Sequence, residues 1–409
     1  MTLALATRPS QPPIAPAPDH DPVALLQLDA TDVVNAAAAV YREVRRRRSV
    51  VVVASGGPEA VAGLAARLDQ IGVTVSRPRP GDPWPGAGVA IVDGPLEAPH
   101  RAAAPKSGVI RIALAGCGVV GGGVLARLAD DPRYDVVGVL VRDPAKERDT
   151  PLASAVAVTD PAALLAREPD VVIEALSDAS TGLALIRAAL ARGIDVVTAN
   201  KQAVSADPAG LKALAETSGA RLAWSASVGG GVPLIEAVRQ AKGQGRIVRI
   251  EAVLNGTCNF ILNRLAEGTI FADALTAART AGFAEEDPAA DLTGLDAAAK
   301  LAILIHEATG RVTPVAAVDR QTLSSATTLP PGRVRQLAVF EAASGAASIA
   351  FRALDDDALF AGLADEANAV RVTLADGRCF TVRGRGAGRI PTTESVLADL
   401  TDLTAGPLR

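Results

Sequence analysis

The stretch IRIALAGCGVVG, Ile110–Gly121, is a largely apolar run that breaks into glycines spaced Gly116-x-Gly118-x-x-Gly121. The run fits a buried strand, and Gly121–Leu128 opens a helix. In a strand–loop–helix setting the first glycine allows the tight turn. The second lets a pyrophosphate approach the main chain, and the third lets helix and strand pack closely. The helix start then offers free N–H groups and a partial positive charge to that phosphate. Such a string alone is a weak signal. With these neighbours it points to a dinucleotide-binding turn rather than a purely structural one.

The pattern extends outward from the loop. Val109–Ala115, Tyr134–Val141, Val171–Ala175, Asp195–Thr198 and Arg221–Ser225 read as strands, with helices over Thr181–Arg192 and 208–218 between them. Strands alternating with helices predict a parallel sheet covered on both faces, a Rossmann-type nucleotide-binding domain over residues 108–228. Beyond Gly229 strands such as Ile247–Leu254 mix with long alanine-rich helices, which predicts an α+β domain over residues 229–365. Residues 366–409, with strands Val370–Leu374 and Cys379–Arg383 and a helix near Thr392–Asp402, are expected to return to the nucleotide domain. On the other side, residues 1–22 are rich in proline and alanine and read as a disordered tail. Residues 23–94 predict a small α/β appendage: helix Thr31–Arg48, strand Ser49–Ala54, helix Pro58–Ile71 and strand Val73–Ser76. The run Arg45–Arg48 reads as a solvated helix end whose cations complement the macrodipole, and residues 95–107 as an alanine/proline linker. The predicted class is α/β: a Rossmann-type parallel sheet domain plus an α+β domain, with the small α/β appendage in front.

Composition narrows the function classes. A chain of 409 residues exceeds what one core usually supports, and 49% apolar residues supply material for more than one. A net charge of −4 argues against a nucleic-acid partner. No apolar run reads as a membrane span, and the first residues lack the basic, apolar and small-residue order of a secretory signal. Cys117, Cys258 and Cys379 are too few and too scattered for a disulfide framework or a zinc site, which fits a reducing cytoplasm. Of the 41 basic residues six are lysines and 35 arginines, a bias that makes each surviving lysine worth examining.

Two lysines stand out. Asp296 and Lys300 form an i, i+4 pair in Asp291-Leu292-Thr293-Gly294-Leu295-Asp296-Ala297-Ala298-Ala299-Lys300, with Thr293 as the expected N-cap and Asp296 three residues on, as in a capping box. A surface salt bridge would explain such a pair. However, Leu301–Ile305 and the alanines make the helix apolar nearly all round, and a buried carboxylate and ammonium are costly unless paired or used. The second, Lys201, follows the buried strand Asp195–Thr198 at the carboxyl edge of the parallel sheet, where ligands of such folds bind; the alternative is a lysine capping a strand end in solvent. His20, His100 and His306 belong to none of these motifs, so the usual general base is missing and a desolvated lysine, tuned downward, is expected to take its place. After the second strand, Arg142, with Lys146 and Arg148 nearby, suits the 2′-phosphate of NADP, while Asp143 keeps NAD open.

Taken in order, these motifs resemble the homoserine dehydrogenase family from about Gly108 to Leu400. The most specific piece is Asp291–Lys300 with Glu285 ahead of it. Thr198-Ala199-Asn200-Lys201, Asn255-Gly256-Thr257-Cys258-Asn259-Phe260-Ile261-Leu262 and the closing loop Gly384–Thr392 match as well. The resemblance implies Lys300 as the catalytic lysine and Lys201 as the second lysine at the hydride-transfer site. It implies that Glu285 and Asp296 hold the amino group of L-homoserine, with Asp291 and Thr257 beside them. Main-chain groups of Gly116, Cys117, Gly118, Val119, Val120 and Gly121, with Arg142, Lys201, Gly282 and Gly388, would meet the cofactor. It further implies a catalytic and dimerisation role for the α+β domain, a homo-oligomer, and a place in threonine and methionine biosynthesis. A loop around Val228, Gly230 and Val232 holds sodium in relatives, but Ser225 stands where a glutamate is common. Phe283 replaces a tyrosine and Cys258 a hydroxyl residue of some relatives. The chain stops soon after the closing loop, so feedback through a C-terminal regulatory module is not expected. Residues 1–94 contain no lysine–glycine phosphate motif. Two rivals are another NAD(P)-dependent oxidoreductase of a small amino or hydroxy substrate and a catalytically dead dinucleotide sensor. Glu285 and Asp296 argue against a neutral substrate, and the presence of both lysines argues against the sensor.

Overall fold

The structure, a computed structural model, describes residues 23–45, 49–73, 75–76, 89–93, 108–153, 156–363, 367–386 and 388–404. They divide between two compact units, one within Met1–Lys106 and one within Ser107–Gly406. The expected tail (1–22), the linker (95–107) and Arg46–Arg48 lie outside the described residues.

In the smaller unit β1 (Val23–Asp29), β2 (Ser49–Ser55), β3 (Val75–Ser76) and β4 (Val89–Asp93) form a parallel sheet in the order β1-β2-β4-β3. Helix α1 (Val33–Arg45) buries Val40, Tyr41 and Val44, and α2 (Gly57–Gln70) buries Val61, Leu64 and Leu68, the i, i+3, i+4 spacing of an apolar stripe. Arg45 is itself buried rather than part of a solvated helix end. Its side chain reaches inward from the last turn of α1 and carries its stem with it.

The larger unit contains two sheets. The first joins β5 (Ile110–Ala115), β6 (Tyr134–Leu140), β7 (Ala157–Val158), β8 (Val171–Glu174), β9 (Asp195–Thr198) and β10 (Leu222–Ala223). All are parallel, in the order β10-β9-β8-β5-β6-β7. Helices α3 (Val119–Ala129), α4 (Pro161–Leu165), α5 (Ala179–Leu190), α6 (Lys201–Ala206) and α7 (Pro208–Ser218) make the crossovers. Because the chain goes from β5 to β6 on one side and returns to β8 on the other, a crevice opens at the carboxyl ends of β5 and β8. The strand expected at Arg221–Ser225 shortens to Leu222–Ala223. Beyond it the chain leaves the sheet to bury Trp224, whose Nε1 donates to Glu307 at 2.7 Å.

The second sheet joins β11 (Ile247–Val253), β12 (Asp319–Arg320), β13 (Val334–Glu341), β14 (Ala346–Ala353), β15 (Ala367–Leu374) and β16 (Cys379–Arg385) in the order β12-β14-β13-β11-β15-β16. All pairs are antiparallel except β12 with β14. The helices of this part are α8 (Leu234–Gln244), α9 (Gly256–Ala266), α10 (Phe271–Thr280), α11 (Ala289–Leu292), α12 (Leu295–Thr309) and α13 (Arg389–Thr404). The sheet residues Ile250, Ala252, Phe340, Val370 and Val372 share one core with Ile235 and Val238 of α8 and Leu301 and Leu304 of α12. Strands β15 and β16, grouped by sequence with the segment returning to the nucleotide side, instead belong to this sheet, because β15 alternates correctly to pair with β11. The return is made by α13 alone: Val396, Leu397 and Leu400 pack with Ile112, Leu114 and Val124.

Candidate active site

The glycine loop is built as its sequence requires. Gly116 has φ 94°, and a Cβ there would lie 2.7 Å from Ala175 O, so the loop rests on the strand end of β8. A Cβ on Gly121 would lie 1.9 Å from Gly116 O, which leaves only glycine at the third position. Gly118 is the N-cap of α3 and has no side chain to occupy the first-turn N–H groups. Beside it the apolar Val119 is 68% exposed, a surface that a bound dinucleotide can cover. The cradle thus fits a pyrophosphate on helix α3. Cys117 and Val120 are half-buried in the same loop, and burial pushes the Cys117 thiol up. Arg142 is exposed just past β6, while the neighbouring Asp143 accepts from Ala145 N at 2.8 Å. Gly388, with φ 122°, precedes α13; next to it Arg389 reaches Asp149 at 3.0 Å and Thr150, which itself donates to Gly122 O. Gly282, with φ 78°, lies instead on the loop after α10, beside Phe283.

Helix α12 delivers Asp296 and Lys300 on one face, one turn apart. Gly294, with φ 73°, is the N-cap of α12, not Thr293. The Thr293 hydroxyl is already engaged with Ala289 O at 2.6 Å, because α11 ends there. Asp296 is the hub. Its Oδ1 meets Lys201 Nζ at 3.1 Å; its Oδ2 meets Lys300 Nζ at 2.8 Å and accepts from Asn255 Nδ2 at 2.8 Å. Lys201 starts α6 of the nucleotide part and Lys300 lies on α12, so one carboxylate gathers an ammonium from each part. Lys300 also donates to Leu254 O at 2.8 Å. Burial pushes the Asp296 carboxyl up, but Lys300 and Lys201 overrule it and hold it well below the usual carboxylate range.

The acidic groups around the hub behave differently. Asp291 accepts from Asn255 Nδ2 at 2.6 Å and from Thr257 Oγ1 at 3.1 Å; burial first, and then the Asp296 charge, push it up. The single Thr257 hydroxyl proton is shared between Asp291 and Phe283 O, 2.6 Å away, which ties the loop carrying Gly282 and Glu285 to α9. Glu285 is exposed and adds its field to that of Asp296 and Asp291 at Lys201. The Lys201 ammonium is therefore pushed up, by Asp296 above all. This reverses the expectation of a lysine tuned downward: at Lys201 the paired carboxylate outweighs desolvation.

Two residues of the site were missed in the sequence. Asn255 N-caps α9 through Cys258 N and at the same time clamps Asp291 to Asp296. Glu174 ends β8, is fully buried, and lies in register with Ala115 on one side and Thr198 on the other. The available signals were an N-cap residue ahead of a helix and a lone carboxylate closing the otherwise apolar run Val171–Ala175. The loop of Val228, Gly230 and Val232, which the resemblance assigns to sodium, is closely packed in this structure. Val232 O already accepts from Leu234 N at 2.7 Å, Gly230 is packed against Gly386 O and Thr392, and position 225 brings a serine whose N–H donates to Asp399.

Comparison with known proteins agrees with this geometry. The family model described as Homoserine dehydrogenase matches residues 233–401, and the one described as Homoserine dehydrogenase, NAD binding domain matches residues 116–224. A homoserine dehydrogenase of Synechocystis sp. is 32% identical over 318 residues, 72% of this chain and 73% of that protein. A protein of Pseudomonas canavaninivorans named NAD(+)-dependent homoserine dehydrogenase is 34% identical over 233 residues, 54% of this chain and 66% of that one. The crystal structure of a homoserine dehydrogenase from Thiobacillus denitrificans aligns with a TM-score of 0.65 at 29% identity, over 72% of this chain and 73% of that one. With a dinucleotide cradle after β5 and two lysines on a shared carboxylate where α6 follows β9, the chain belongs to the homoserine dehydrogenase family, NAD(P)-dependent oxidoreductases.

Proposed function

We propose that the protein interconverts L-homoserine and L-aspartate 4-semialdehyde with NADP preferred, and that Lys300 and Lys201 serve the proton transfer. The observation that carries the reading is the convergence of both lysines on Asp296, 2.8 and 3.1 Å away, from opposite parts of the larger unit. A bound nicotinamide supplies the hydride acceptor or donor; the protein supplies geometry and a proton route. Raised above the ordinary lysine range by Asp296, Lys201 stays protonated at neutral pH. It is suited to donate a hydrogen bond to the substrate hydroxyl or carbonyl oxygen, and to steady negative charge as it develops there. Lys300, half-buried and held from two sides, is placed to give a proton to the same oxygen in the reduction and, as the neutral amine, to take it in the oxidation. Glu285, Asp291 and Asp296 make the pocket acidic enough to grip the substrate ammonium, with the Thr257 hydroxyl beside them.

NADP preference is supported by the exposed Arg142 at the carboxyl end of β6, together with the commitment of Asp143 to Ala145 N. The second reading, NAD preference, is favoured by the presence of Asp143 and by the Pseudomonas canavaninivorans relative named NAD(+)-dependent. Initial rates with L-homoserine and either cofactor separate them. NADP preference predicts a kcat/KM at least about tenfold higher with NADP, with most of that margin lost in Arg142→Ala. Equal or better use of NAD overturns it. Family membership is the support for a homo-oligomeric, cytoplasmic enzyme of threonine and methionine biosynthesis, and static light scattering tests the oligomeric state.

A further inference from the structure

Glu174 is 0% exposed and has no cation against its carboxylate among the described residues; three uncharged donors satisfy it instead. Thr198 Oγ1 donates to Oε2 at 2.5 Å, and Asn200 Nδ2 and Leu176 N donate to Oε1 at 3.1 and 2.9 Å. These donors come from the end of β9, from the N-cap of α6 and from the loop after β8. The lattice is closed further by Asn200 N, which donates to Thr198 Oγ1 at 3.0 Å, and by Ala203 N, which donates to Asn200 Oδ1 at 3.0 Å. Space is tight as well. A Cβ on Gly182, in the first turn of α5, would lie 2.5 Å from Asn200 Nδ2 and 2.9 Å from Glu174 Oε1. No ligand can reach a carboxylate so enclosed, and burial pushes it up. Burying a lone carboxylate is costly unless something is gained, and the residue that follows Asn200 is Lys201.

We propose that Glu174 is a positioning residue that fixes the start of helix α6, through Asn200 and Thr198, so that Lys201 points at the reacting oxygen. Lys201 is the first residue of α6, and its ammonium must span from the nucleotide part to Asp296 on α12. A shift of the N-cap by about an ångström moves that ammonium off the reacting atoms, an error that lowers rates by roughly 100-fold in sites of this kind. The carboxylate holds the cap from the buried carboxyl end of β8, with none of its surface exposed. The proposal rests on Lys201 acting in the reaction.

The test is a double-mutant cycle on the full-length enzyme, read by single-turnover cofactor reduction with L-homoserine so that slow variants stay measurable. Glu174→Ala is expected to lower the rate about 10- to 100-fold, with a smaller change in homoserine KM. Glu174→Gln, which keeps the shape and one acceptor oxygen for Asn200, is expected to recover most of the loss. In a Lys201→Ala background Glu174→Ala should change the rate by less than about twofold, because the group it positions is gone. Should Glu174→Ala fail to fold, Asn200→Ala carries the same cycle. Losses that multiply in the double variant overturn the positioning role. Absence of turnover in the wild type refutes instead the reading of the site on which it rests.

Discussion

Replacing Asp296 with asparagine removes one charge and keeps the shape, and the contacts of the carboxylate set the size of the effect. In the wild type it accepts from Lys201 Nζ at 3.1 Å, from Lys300 Nζ at 2.8 Å and from Asn255 Nδ2 at 2.8 Å. An amide has one acceptor oxygen, so whichever way it turns, its NH2 faces another donor. Removing one member of a buried ion pair costs about 3–5 kcal/mol. The Lys201 side chain is 36% exposed and can swing toward water, so a loss near the lower end, about 3 kcal/mol, is expected. For a unit of this size that lowers the unfolding midpoint by roughly 5–10 °C. Turnover should fall about 10²- to 10⁴-fold, equivalent to about 3–5 kcal/mol of barrier. Because Asp296 is the main group holding the Lys201 proton, the residual turnover should also fall off, as pH rises, at lower pH than in the wild type. Calorimetry and steady-state rates from about pH 6 to 10 measure both effects. A variant within about threefold of wild-type kcat, with an unmoved pH profile, would refute the hub role of Asp296.

Glu307 gives a test away from the site: burial pushes its carboxyl up, but Arg239, Lys212 and Trp224 hold it at about 2 instead of 4.5. A depressed carboxylate contributes stability that is complete above pH 4.5 and is lost as pH falls toward 2, about 3 kcal/mol here, so the unfolding midpoint should drop across that window and drop less in Glu307→Gln. Gly121→Ala drives a methyl to 1.9 Å from Gly116 O; fluorescence titration should show cofactor affinity reduced at least about tenfold, and unchanged affinity would contradict the cradle. In thiol labelling of the native protein the exposed Cys379 should react. Cys258, buried beside Asp291 with its thiol pushed far up by burial, should react only on unfolding.

The parts of this molecule that were legible in its sequence are those fixed by local rules. Gly116 and Gly121 announce their turn because no side chain fits there, and the spacing of Asp296 and Lys300 is a property of any α-helix. The parts that stayed hidden depend on contacts between distant segments. Strand β15 looks the same in sequence whether it joins one sheet or the other; only its register with β11 decides. Thr293 fits a capping box on paper, yet its hydroxyl is engaged by Ala289 O and Gly294 makes the cap. The direction of the Lys201 shift could not be foreseen, since Asp296 lies far away in the chain and its distance of 3.1 Å outweighs the burial. In the sequence Asn255 stands only as part of a matching motif and Glu174 only as part of a buried strand; their importance appears only once the partners of each oxygen and nitrogen are known.

The most direct measurement is turnover of Lys201→Ala and Lys300→Ala with L-homoserine, with dinucleotide affinity titrated in parallel. Each variant is expected to lose about 10²- to 10⁴-fold in kcat while cofactor affinity stays within about threefold of the wild type. If either variant turns over at close to the wild-type rate, the two ammonium groups on Asp296 are not the proton-handling pair.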